Sequence, residues 1–192
     1  MSRPIEHDPK EVLTKTMHLF WEQGYDNTSV RDVVKATGLK PGSLYNMYGN
    51  KEGIFEAVVD FYSKVNKKYV KDTLLKDDNG LKNIEIFLND IVIATIANEK
   101  TKGCLLVKTL LVVLPKDEKI QQSIKNIFDE IEVILEEALC IVKKNNQTKV
   151  DTKTFSKFIV STIYGAHVYY KTNKDEKMLQ DSVDLLMAML KK

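Results

Sequence analysis

The sequence predicts an all-α fold of about nine helices. Apolar residues recur at spacings of three and four along nearly the whole chain. Only four prolines interrupt 192 residues, and no alternating apolar–polar run bounded by turn residues marks a strand. The first helix opens with Asp8 as N-cap, Pro9 in the first helical position and Glu11 three residues after the cap. Its apolar face is Leu13, Met17, Phe20 and Trp21, and Gly24 ends it. Ser29 and Asp32 form a cap-like pair for a short second helix that turns Val30, Val33 and Val34 inward and stops at Gly38. Pro41 starts a short third helix, with Leu44, Tyr45 and Tyr48 on one face and Gly49 closing it. Tyr48 repeats the face of Leu44 one turn later, which makes it a core residue rather than a contact.

Asn50 caps a long fourth helix whose stripe of Phe55, Val58, Val59, Tyr62, Val65 and Tyr69 continues to about Leu75. The run Lys76-Asp77-Asp78-Asn79-Gly80 is a loop. A fifth helix follows from about Leu81 to Asn98, and a short apolar sixth from Cys104 to Leu114 ends where Pro115 forbids continuation. A seventh covers roughly Asp117 to Lys144, an eighth about Thr152 to Thr172, and a ninth Glu176 to Leu190.

Length at a soft ~150 residues per domain allows one domain, or a small module joined to a larger one. With 43% hydrophobic and 29% charged residues the chain has the composition of a folded globular protein, not of a disordered or collagen-like one. No apolar run reaches the ~18 residues of a membrane span, and Met1 to Lys10 lacks the apolar stretch of a signal peptide, so a cytoplasmic location is expected. Cys104 and Cys140 are too few for a disulfide framework or a zinc cage and read as reduced, buried thiols. Net charge is +2, spread evenly: 11 basic against 10 acidic residues up to Leu75, and 18 against 17 beyond. Lys64, Lys67, Lys68 and Lys71 recur at helical spacing and read as a solvated face.

Catalytic chemistry finds no footing. His7, His18 and His167 are scattered without metal-ligand spacing, no Gly-rich phosphate loop follows a strand, and neighbouring Glu136 and Glu137 point in different directions on a helix. No metal, cofactor or enzymatic activity is therefore expected.

Two short helices joined by a tight glycine-containing turn behind a longer helix have the spacing of a helix-turn-helix, in which the third helix enters the major groove. Lys40, Ser43, Asn46 and Met47 lie at its start or off its buried face. The residues carry a more specific likeness. Gly24-Tyr25, Thr28 to Val33, Gly38 to Tyr45, Tyr48 to Glu52 and Phe55 resemble, in order and without gaps, the N-terminal signature of TetR-family transcriptional regulators over about Val12 to Tyr62. The segment Lys102 to Leu106 is a weaker cue to one branch of that family.

The resemblance implies a helix-turn-helix DNA-binding domain over residues 1–50 and a larger helical ligand-binding and dimerisation domain over 51–192. It implies a homodimer that represses transcription from a palindromic double-stranded operator and is released by a small molecule. Carried over by position, Ser29 caps the second helix and faces a phosphate, Pro41, Gly42 and Ser43 meet the DNA, and Tyr45 and Lys51 hold the backbone. Arg31, Lys40 and Asn46 complete the expected DNA-binding set. Lys51 sits at a helix start, where a cation opposes the helix dipole, so a nearby phosphate explains it better than helix stability does.

Met47 stands where the family commonly has histidine or tyrosine, and it cannot donate a hydrogen bond. The only arginines, Arg3 and Arg31, lie off the third helix, although arginine or lysine on guanine is the commonest specific contact. Operator readout is expected to lean on DNA shape and A·T content.

The stripes Phe155, Ile159, Thr162, Ile163 and Ala166 on the eighth helix, and Leu179, Val183, Leu186 and Leu190 on the ninth, resemble the faces that pair across the family's two-fold axis. An ordinary intramolecular core is the alternative. Phe61, Tyr62, Phe87, Ile91, Thr95, Leu110, Phe128, Tyr164 and His167 are candidates to line the ligand pocket. No charged residue sits obviously on an inward face of the fifth to eighth helices, which points to an apolar or aromatic ligand rather than an anion. A C-terminal domain answering to a protein partner is the rival reading, and a pocket too small or too filled would favour it.

Overall fold

The computed structural model describes residues 8–99 and 118–191. Within them the chain forms eight helices and no strand: α1 (Pro9–Gln23), α2 (Val30–Thr37), α3 (Pro41–Tyr48), α4 (Lys51–Leu74), α5 (Gly80–Glu99), α6 (Glu118–Lys144), α7 (Thr152–Asn173) and α8 (Glu176–Leu190). The predicted helix from Cys104 to Leu114, and with it the candidate Leu110, lies outside the described residues.

Helix starts follow from side-chain caps. Asp8 accepts from Lys10 N–H at 2.9 Å, Asn50 from Gly53 N–H at 2.8 Å, Asp151 from Thr154 N–H at 2.8 Å and Asp175 from Met178 N–H at 3.0 Å. At α2 the box is reciprocal: Asp32 N–H donates to Ser29 Oγ at 3.2 Å, and Ser29 N–H donates to Asp32 Oδ2 at 2.9 Å. Gly38 closes α2 with φ 74°, the left-handed conformation that lets the chain turn directly into α3.

Two cores share two long helices. In the first, Val12, Phe20, Val33, Leu39 and Leu44 from α1 to α3 pack on Ile54, Phe55, Val58 and Val59 of α4 and on Ile120, Ile124 and Ile127 of α6. Phe55 meets Phe20 edge-on at 4.9 Å and Tyr25 at 4.8 Å. Burying Leu44 completely contributes about 2 kcal/mol, and it fixes α3 against this cluster. In the second core, Val70 and Leu74 of α4 and Leu135, Leu139 and Val142 of α6 pack with Ile84 and Leu88 of α5 and the inner faces of α7 and α8. Gly80 lets α5 begin close against α6, because a Cβ there would stand 2.9 Å from the Ala138 carbonyl oxygen. With 24 residues, α4 is about 36 Å long, and both it and α6 pass from one core into the other.

Most of the nine residues expected at a subunit seam are taken up within the chain itself. Phe155, Ile159, Leu179, Val183, Leu186 and Leu190 are buried inside the second core of a single chain, and Ile163 and Ala166 pack against it. Thr162 lines a crevice between α5, α7 and α8. Both C-terminal helices carry two apolar stripes, and the chain turns the richer one toward itself. The outward stripe is Phe158, Val168 and Tyr169 on α7 with Leu185 and Met189 on α8, all exposed. The expectation for Cys140 also changes: its thiol is exposed, 3.8 Å from the Thr152 hydroxyl.

Candidate nucleic-acid interface and internal cavity

At the first core's surface Ser29 and Arg31 at the start of α2 are exposed, as are Lys40, Pro41, Gly42, Ser43, Tyr45 and Asn46 along α3. Leu44 is fully buried and Tyr48 half-buried, so α3 is anchored by one face and offers the other to solvent. Burial raises the Tyr48 phenol above its ordinary pKa, in keeping with a packing role. Tyr45 and Met47 are each about half exposed, at 50% and 51%.

Side-chain oxygens cap α1, α2, α4, α7 and α8, but Lys40 at the start of α3 supplies no acceptor, and the first turn of α3 has no acidic residue. Pro41 has no N–H, and the Ser43 amide donates to the Lys40 carbonyl at 3.0 Å, so the Gly42 amide is the one in this first turn left to take a phosphate oxygen.

Lys51 is half-buried and has partners within the chain. Its ammonium lies 4.5 Å from the centre of the Tyr25 ring and donates to the Asp26 carbonyl at 3.3 Å. These contacts account for a cation at that helix start without a phosphate. The α4 lysines read as a solvated face behave partly so: Lys68 pairs with Asp72, and Lys67 crosses to Glu130 of α6 at 2.9 Å.

Between the cores lies a cavity of about 580 Å³. Of the candidates for the pocket, Phe61 and Tyr62 of α4, Phe87, Ile91 and Thr95 of α5, and Tyr164 and His167 of α7 line it. Phe128 stands behind the wall, its ring 4.4 Å from that of Tyr164. Thr14, Met17 and Trp21 of α1 also line it, and Trp21 meets Tyr62 edge-on at 6.0 Å. Sequence reasoning gave Met17 and Trp21 to the core of α1 alone.

A second omission is polar. Asp90 of α5 lines the cavity, which corrects the expectation that no charge lies there. The signal was present in its spacing, three residues after Phe87 and four before Ala94 on one helical face. The Tyr69 hydroxyl donates to Asp90 Oδ2 at 2.6 Å, and burial, with this carboxylate second, pushes the phenol up to about 12.

Burial lowers the pKa of His167 in the same lining, so its ring is neutral at pH 7. The Ile163 carbonyl 2.9 Å from Nδ1 can only accept, which places the proton on Nδ1 and leaves Nε2 facing the Thr95 hydroxyl at 2.9 Å. That hydroxyl has the Ile91 carbonyl as a competing acceptor at 2.6 Å. Among the described residues no cluster of histidine, cysteine and carboxylate can hold a metal ion, and no helix is long and apolar enough to cross a membrane.

Comparison with known proteins agrees with this arrangement. Residues 12–58 match the bacterial regulatory proteins of the tetR family, and residues 81–184 match the C-terminal domain of LmrA/YxaF-like transcriptional regulators. The chain is 33% identical over 144 residues to the HTH-type transcriptional repressor ComR of Escherichia coli K12, covering 72% of this chain and 66% of that one. It is 24% identical to the regulator YezE of Bacillus subtilis 168 over 99% of this chain and the whole of YezE. Its fold superposes with a TM-score of 0.82 on the TetR-family regulator CifR bound to a 26-base-pair operator duplex, at 22% identity over 98% of this chain and all of CifR. Reduced NemR of Escherichia coli gives 0.85 at 15% identity, covering 94% of this chain and 95% of NemR. With the N-terminal signature, the C-terminal domain and the helical frame all in place, this chain belongs to the TetR family of DNA-binding transcriptional regulators.

Proposed function

We propose that the protein is a cytoplasmic homodimeric repressor. It holds a palindromic operator through residues 1–50 and releases it when a small molecule enters the cavity enclosed by residues 51–192 and α1. The observation that carries the reading is the wall of that cavity. Thr14, Met17 and Trp21 belong to α1, whose Phe20 packs on Phe55 in the core that holds Leu44 and α3. A molecule pressing on Trp21 therefore acts on the frame that aims the recognition helix, and its volume of about 580 Å³ is that of a small-molecule site. The size of the cavity speaks against the rival reading of a protein partner. ComR is a repressor by name, and CifR, which shares this fold, is seen on its operator.

In this reading Ser29, Arg31 and Tyr45 hold phosphates, and Lys40, Pro41, Gly42, Ser43 and Asn46 meet the groove. Two recognition helices about 34 Å apart require a two-fold seam. The exposed stripe of Phe158, Val168, Tyr169, Leu185 and Met189 supplies it, with Gly165 allowing close approach.

The test is selection of sheared host DNA by the purified protein at near-physiological salt, followed by sequencing. A few fragments sharing an inverted repeat are expected. Recovery of nothing, or of all fragments equally, would overturn the reading.

A further inference from the structure

We infer that the cavity is built for a bulky organic cation, with Asp90 as the charge partner and the aromatic walls as its bed. The inference rests on the reading of this cavity as the effector site and narrows what can occupy it.

Among the described lining residues Asp90 is the only carboxylate, and none is a lysine or an arginine. Its hydrogen-bond partner among the described residues is the Tyr69 hydroxyl, which holds Oδ2 in the lining. Tyr69 keeps its proton across the physiological range and so stays a donor. His167, which also lines the cavity, is neutral at pH 7 and adds no positive charge. The described walls therefore carry one net negative charge.

The rest of the lining suits the same ligand. Trp21, Phe61, Tyr62, Phe87 and Tyr164 present aromatic surface, and the face of such a ring attracts a cation, most strongly in a site stripped of water. An anion here meets Asp90 with like charge. A neutral apolar molecule seated against Asp90 strips water from a carboxylate and returns nothing for it. A cation whose charge is wrapped in hydrocarbon repays that loss and fills the apolar volume, so it alone satisfies both halves of the site.

Tetraphenylphosphonium and tetraphenylborate test this, because they have the same shape and opposite charge. Binding of each to the intact protein is measured by calorimetry, and the fluorescence of Trp21, the single tryptophan and a lining residue, reports entry into the cavity. Tetraphenylphosphonium is expected to bind at least about tenfold tighter, a difference of about 1.4 kcal/mol. Asp90→Asn is expected to bring the two within about threefold of each other.

If tetraphenylborate binds as tightly or tighter with a Trp21 response, the inference fails while the cavity stands as a ligand site. A preference that survives unchanged in Asp90→Asn also defeats it. If neither ion alters Trp21 fluorescence, both the inference and the effector reading fall. The wild-type pair decides the sign of the preference without any variant.

Discussion

Gly53 shows how a single position governs the aim of the recognition helix. It lies in the first turn of α4, and a Cβ built there would stand 2.0 Å from the Tyr48 carbonyl oxygen. That oxygen is backbone at the end of α3 and can move only if α3 moves. Gly53→Ala is expected to cost about 2 kcal/mol or more in denaturant unfolding, together with loss of DNA binding. The sequence shows Gly53 only as a weak helix former, since the contact that requires it is made by folding.

His167 gives a second residue-scale prediction. Burial holds its folded pKa below the ordinary 6.5, so the unfolded chain takes up the proton first as pH falls. The stability it contributes is complete above about pH 6.5 and is lost as pH drops from there through the folded pKa. Melting temperature is therefore expected to decline as pH falls below about 6.5, and His167→Gln should flatten this part of the decline. An identical slope in the variant would show that other groups carry it. The sequence singled His167 out as an interruption in an apolar, aromatic helix. It could not show the Ile163 carbonyl and Thr95 hydroxyl that engage both ring nitrogens.

At the scale of elements, caps and breakers were the most legible features. Asp8, Ser29, Pro41 and Asn50 start the first four helices as their chemistry requires, because a cap acts within four residues of itself. Which face of a helix turns inward was harder to read, and α7 and α8 show why. Each has two apolar stripes, and periodicity picks out the richer one without saying whether it meets the chain's own core or a partner. The outward stripe makes a direct prediction. Leu185 is 63% exposed, so Leu185→Glu should alter the stability of one protomer by no more than about 0.5 kcal/mol. In a dimer seam the same change buries an unpaired charge. Sedimentation is expected to give a folded monomer with weakened operator binding. A dimer that persists unchanged would place the seam elsewhere.

Across the whole molecule the division into head and body is less sharp than the sequence suggests. The signature ends near Tyr62, yet Ile120, Ile124 and Ile127 complete the core beneath α1 to α3 from more than fifty residues farther along. Periodicity marks those isoleucines as apolar, but only the fold brings them to the head. The cavity wall has the same origin. Candidates on α4, α5 and α7 were found because they are aromatic or interrupt a face, whereas Trp21 and Met17 were missed because they come from the other half of the chain. In the proposed reading that shared wall is the physical link between an occupied cavity and the DNA.

Filling the cavity by mutation tests the link without knowing the effector. Ile91→Trp places an indole against the lining from α5, and operator affinity is then measured by fluorescence anisotropy at fixed salt, on a duplex recovered by selection. The account predicts at least about a tenfold loss of affinity, with the dimer intact and the melting temperature held or raised. Unchanged affinity in a folded dimer whose cavity is filled would contradict it.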